Sequence, residues 1–174
     1  MIDELISWIG STLPEYELKK KSCLNLYNDL RGLYSKEFLA ECFYVTVDDV
    51  PKPYHLKGES KVIDNFLKLS SDGITYSNTY FVKRVYENEI ELHCHELVHA
   101  VQWKHLGMSG FIKRYIDELT LGLTKYEFED AYRNAPLEKM AYKIQDSFHD
   151  GTQIANIESD VISQLENPKE TTCS

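Results

Sequence analysis

The sequence predicts an α+β fold, mostly helical, in which a small sheet packs against a helix carrying a reactive motif. Three observations lead there. His95-Glu96-Leu97-Val98-His99 stands inside the run Asn88 to Gly107, which has the apolar spacing and end signals of a helix. Runs of β-branched and aromatic residues are confined to 43–47 and 74–82, enough for a few strands. Through most of the remaining chain, apolar residues recur three and four apart.

The N-terminal 70 residues should supply helices and one strand. Residues 2–9 read as a short helix with Leu5, Ile6 and Ile9 on one side, ended before Pro14. Leu18, Cys23, Leu26, Leu30 and Leu33 suggest an amphipathic helix over 15–31, with Lys19, Lys20 and Lys21 toward water. Phe43 to Val47 is a strand, stopped by Asp48 to Pro53. Residues 60–69 form a helix with Val62, Ile63, Phe66 and Leu69 inward, and Ser71-Asp72-Gly73 a turn.

The segment 72–150 should be the functional core. Residues 74–76 and 79–82 read as one kinked strand or a tight hairpin around Ser77-Asn78. Asn88 can cap the next helix, with Glu91 completing a capping-box-like pair, and Gly107 can stop it. Residues 107–110 form a corner, followed by a helix over 111–121 and a short helical segment over 125–133. Asn134 caps a further helix with Pro136 in its first turn, ending near Gly151. A last helix covers 154–165, and residues 167–174 read as a frayed tail within the same 1–174 domain.

Composition narrows the partners. The chain has 174 residues, 43% of them hydrophobic and 12% aromatic, which suits one domain with a real core. Nineteen basic against 28 acidic residues give a net charge of −9, which argues against nucleic acid or an anionic membrane as partner. No apolar run reaches the roughly 18 residues of a membrane span. Acidic residues stand at the N-terminus where a signal peptide wants basic ones, so the cytoplasm is the expected compartment. The four cysteines, Cys23, Cys42, Cys94 and Cys173, are far apart and read as free thiols.

Two histidines four apart on a helix lie on one face, about 6 Å from each other, so both can reach one metal ion. The glutamate between them can reach a water on that ion. A shuffled sequence of this composition would show the pattern roughly once in fifty trials. A catalytic site needs a third protein ligand and an open position. The downstream candidates are His105, Asp117, Glu118, Glu127, Glu129, Asp130, Glu138, Asp146 and His149. His105 is six residues past His99 and points away. Glu138 is favoured, because it sits in the first turn of an apolar helix, where a carboxylate suits the dipole. A first-turn glutamate facing water stays open on spacing alone.

The stretches Ile74-Thr75-Tyr76-Ser77-Asn78-Thr79-Tyr80-Phe81-Val82, His95 to Trp103, and Asn134-Ala135-Pro136-Leu137-Glu138-Lys139-Met140-Ala141-Tyr142 together resemble the compact gluzincin-like (minigluzincin-type) zinc metallopeptidases. The resemblance covers about residues 72–148, as an edge strand, a His-Glu-x-x-His-x-x-Gln helix and a later Glu-x-x-Ala helix. It implies a zincin-like fold and a Zn²⁺ ion held by His95, His99 and Glu138. It also implies Glu96 as general base and a peptide or protein as substrate. Met140 departs from the pattern, since relatives carry an acidic residue there. Glu129 echoes the pattern and is the reserve ligand. Gln102 is expected to support a ligand, Trp103 to pack in the core, and His93 and Cys94 to face away from the metal. Tyr115, Tyr132 and Tyr142 are candidate oxyanion donors. The alternatives are a non-catalytic protein stabilised by zinc, favoured by small size, and a self-inhibited proenzyme. An intact Glu96 favours the enzyme.

Overall fold

A computed structural model describes residues 1–152 and 156–167. Helix α1, Ile2–Glu15, runs past the expected stop and holds Pro14 in its final turn. That turn survives because Leu13 and Tyr16 pack on the core, with Tyr16 edge-on to Phe81 at 4.9 Å. The helix expected over 15–31 does not form. Short 3₁₀ turns at Glu17–Lys19 and Cys23–Leu26 flank strand β1, Lys21–Ser22, and Arg31 and Gly32 both take positive φ. Cys23, Leu26, Leu30 and Leu33 are still buried, while Leu18 is fully exposed. Turns bury residues three apart as well as a helix does, and Ser22 accepts from the Leu24 N–H where a continuous helix would have used a carbonyl.

Helix α2, Lys36–Glu41, is capped by Ser35 and leads into strand β2, Phe43–Val47, as expected. Helix α3, Lys61–Lys68, is capped by Ser60 and buries Val62, Ile63 and Leu67; Phe66 and Leu69 are only half-buried. Strands β3, Gly73–Tyr76, and β4, Thr79–Lys83, settle the choice left by the sequence in favour of a hairpin, with Ser77 at φ 61 in its two-residue loop. The sheet order is β1-β2-β4-β3, with β2 and β4 parallel and the other pairs antiparallel. Strand β3 is therefore an edge.

Helix α4, Ile90–Gly122, begins after Glu89, so Asn88 is not its cap and no side chain serves there. Gly107 breaks it at φ 70 and ψ 169, but helix resumes at once, so the expected four-residue corner shrinks to one residue. A left-handed φ is cheap only for glycine, and the bend returns Phe111 and Tyr115 toward the motif. Helix α5 is Phe128–Asn134. Asn134 belongs to α5, where its amide donates to the Asp130 carbonyl; Ala135 occupies the cap of helix α6, Pro136–His149. Helix α7, Ile157–Glu166, starts later than expected; 153–155 and the tail 168–174, with Cys173, lie outside the described residues.

The first half of α4 is buried all round, covered by β3 and β4 on one side and by α6 and α7 on others. One core takes residues from both the N-terminal 70 and the later segment. Among the described residues no helix is long and apolar enough to cross a membrane.

Candidate metal centre

His95 and His99 project from the same face of α4, and Glu138 meets them from the first turn of α6. Their Nε2 atoms stand 3.2 Å apart; Glu138 Oε2 lies 3.5 Å from His95 Nε2, and Oε1 3.5 Å from His99 Nε2. A tetrahedral ion with bonds of about 2.0–2.1 Å wants its ligand atoms about 3.3–3.4 Å from one another. The three residues could thus hold a metal ion with little movement. The donor set also carries a buried carboxylate oxygen, Glu138 Oε2, with no hydrogen-bond partner. Such an orphan is costly unless something cationic satisfies it.

Each imidazole is aimed by its other nitrogen. His95 Nδ1–H donates to Gln145 Oε1 at 2.9 Å and His99 Nδ1–H to Gln102 Oε1 at 2.8 Å. The Gln102 amide is oriented in turn, since its Nε2 donates to the Leu137 carbonyl at 3.0 Å. Both rings therefore turn Nε2 inward. The expected support from Gln102 is present. Gln145 was missed, although it follows Glu138 by seven residues, two turns along the same face of α6. Replacing Gln145 by Leu should weaken metal binding about 10- to 100-fold, measured by competition with a chelating indicator.

Glu138 is itself held. Tyr115 O–H donates to its Oε1 at 2.7 Å. The α6 N-terminus that carries it is fixed by Glu118, whose carboxylate accepts the Leu137 N–H and the Arg114 Nε–H. Burial alone would raise the Glu138 carboxyl; the His99 and His95 imidazoles beside it more than offset this and hold it well below the usual range. Burial alone would lower His99, but Glu138 next to it raises the imidazole to about 9.

Glu96 faces the edge strand. The Thr75 hydroxyl donates to its Oε2 at 2.6 Å and lies 3.0 Å from its carbonyl oxygen. A β-carbon at Gly73 would fall 2.9 Å from Glu96 Cδ, so only glycine lets the strand come this close. Burial is the main influence on Glu96 and raises its carboxyl, against His95, His99 and the Thr75 hydroxyl. The hairpin alternation turns the N–H and C=O groups of Gly73 and Thr75 to the open edge, where Trp103 Nε1 donates to the Thr75 carbonyl. Trp103 stacks on Phe111 at 4.0 Å, so it packs in the core as expected.

The other sequence candidates lie elsewhere. Glu129 is exposed, His105 approaches Glu166, His149 approaches Glu91, and Asp117 pairs with Lys113. His93 is buried on the far side of α4 between Tyr80 and the Glu87 carbonyl. Among the described residues no other three His, Cys, Asp or Glu converge as the triad does. No family model matches this sequence, and neither a curated protein nor a solved structure matches it.

Proposed function

We propose that the protein is a zinc-dependent metallopeptidase of the compact gluzincin-like kind, with His95, His99 and Glu138 as ligands and Glu96 as general base. The observation that carries this is two imidazole Nε2 atoms and an unpartnered carboxylate oxygen converging beside a further buried glutamate. Two nitrogens and one carboxylate suit zinc, and three protein ligands leave a position open, as in catalytic rather than structural sites. An ion bound there supplies acidified water and a polarised carbonyl.

The chain's own residues do the rest. Glu96, whose carboxylate is made a stronger proton acceptor by burial, takes the proton of the attacking water and returns it to the leaving amine. Thr75 and Gly73 set where that carboxylate stands. The edge of β3, apart from the Thr75 carbonyl already held by Trp103 Nε1, suits an extended peptide added as a further strand. Tyr115 is committed to Glu138 and Tyr132 also reaches that carboxylate, which leaves Tyr142, with its ring 4.7 Å from that of His95, as the favoured oxyanion donor. The fold would then be zincin-like, and the expected compartment remains the cytoplasm.

Enclosure favours the second reading, a zinc-stapled protein without activity: the triad and Glu96 are only 2–6% exposed. The deciding experiment incubates the zinc-loaded chain with a library of unstructured peptides and reads products by mass spectrometry. Cleavage that stops on chelation supports the peptidase. An intact library overturns it and leaves zinc as a staple.

A further inference from the structure

An apolar cavity of about 100 Å³ runs along the open edge of β3 with Glu96, His99 and Glu138 at its floor. Its walls come from three directions: Leu5 and Ile9 of α1, Ile63 and Phe66 of α3, and Ile112 and Ile116 of α4 beyond the Gly107 bend. The first four of these precede residue 72, outside the stretch that carries the family resemblance. Trp8 of α1, edge-on to Tyr76 at 5.2 Å, anchors that helix to the sheet beside the cavity.

We propose that this cavity receives one branched aliphatic side chain of the substrate, of leucine or isoleucine size, and that α1 and α3 set its dimensions. The proposal rests on the peptidase reading. Size comes first: an apolar cavity of about 150 Å³ accepts benzene, so about 100 Å³ suits a four-carbon group and excludes a larger ring. Chemistry comes second. The lining is mostly apolar, with few hydroxyls, among them those of Ser71, Thr75, Tyr115 and Tyr132, so a polar side chain would lose more hydration than it regains, and the two carboxylates repel an anion. Position comes third. A void left by imperfect packing costs stability wherever it falls, whereas this one opens on the motif glutamate and two of the triad residues. At this volume the space admits one side chain from a backbone lying along β3.

The test uses the full chain with isoleucine methyl groups labelled with ¹³C, stripped of metal by a chelator. The probe is the neutral amide 4-methylpentanamide, with acetamide and 3-phenylpropanamide as comparisons. The methyls of Ile9, Ile63, Ile112 and Ile116 should shift saturably with 4-methylpentanamide alone, while those of Ile144 and Ile157 stay still. Ile63→Phe and Ile112→Phe narrow the cavity from opposite walls, and each should weaken the probe at least tenfold in a variant whose melting curve remains cooperative. Silent wall methyls, or equal shifts with acetamide, overturn the proposal. Peptide cleavage lacking an aliphatic preference, together with silent methyls, removes the subsite and leaves the peptidase standing. Saturable shifts without any cleavage support the aliphatic site and remove the peptidase.

Discussion

Glu96→Gln should keep one zinc per chain while hydrolysis falls about 10³-fold, in the middle of the range for a lost general base. The amide keeps the size and the hydrogen bond from Thr75 but cannot take a proton from water. Because Glu96 is not among the three converging side chains that could hold a metal, metal content should not move. Gly73→Ala should reach a similar end by position alone. Its β-carbon would stand 2.9 Å from Glu96 Cδ, which forces the carboxylate to move. A shift of about 1 Å in a reacting group can cost about 10²-fold, with zinc again retained. Rates on the peptide found in the library and zinc by elemental analysis separate these outcomes. An unchanged rate in Glu96→Gln would remove that residue from the chemistry.

Glu138→Ala should act on the metal itself. Losing a residue that merely aims a ligand costs about 10- to 100-fold, so losing the ligand should cost about 10³-fold or more in zinc affinity. The pH dependence gives a second signature. Glu138 raises His99 to about 9, so at neutral pH zinc must displace a proton from that imidazole. In the native chain the apparent affinity should therefore rise about tenfold per pH unit up to about 9, then level. Without Glu138, burial lowers His99 against the smaller upward pull of Glu96 and Gln102, and the slope above pH 7 should flatten. Titration against an indicator between pH 6 and 10 reads both effects. A native slope near zero would mean that Glu138 does not govern His99.

The chemistry was legible where it depends on local spacing. His95, Glu96 and His99 stand within five residues of one helix, and Gln102 follows by less than a turn, so the helical repeat alone brings them together. Glu138 needed tertiary contact between α4 and α6; its place in the first turn of an apolar helix made it the favoured candidate, and the resemblance tipped the choice between ligand and water-facing residue. Gln145 was readable in principle from its seven-residue spacing to Glu138, but a lone glutamine gives no sign of facing a histidine. The contacts of Glu96 with Gly73 and Thr75 were not readable, because they join a helix to a strand 21 residues away through their three-dimensional packing. The 15–31 segment misled for a related reason. Its apolar spacing fits a helix, yet pairing of Lys21 and Ser22 with β2 and the left-handed Arg31-Gly32 pair decide otherwise. Nor could the sequence reveal that α1 and α3 roof the cavity, since nothing in their amphipathic pattern names the surface they cover.

The most direct measurement is the zinc content of the purified chain after reconstitution and removal of excess metal, by elemental mass spectrometry beside Glu138→Ala. The geometry of His95, His99 and Glu138 predicts one zinc per native chain and a clear deficit in the variant. A native chain that retains no zinc would contradict the metal centre and, with it, the peptidase.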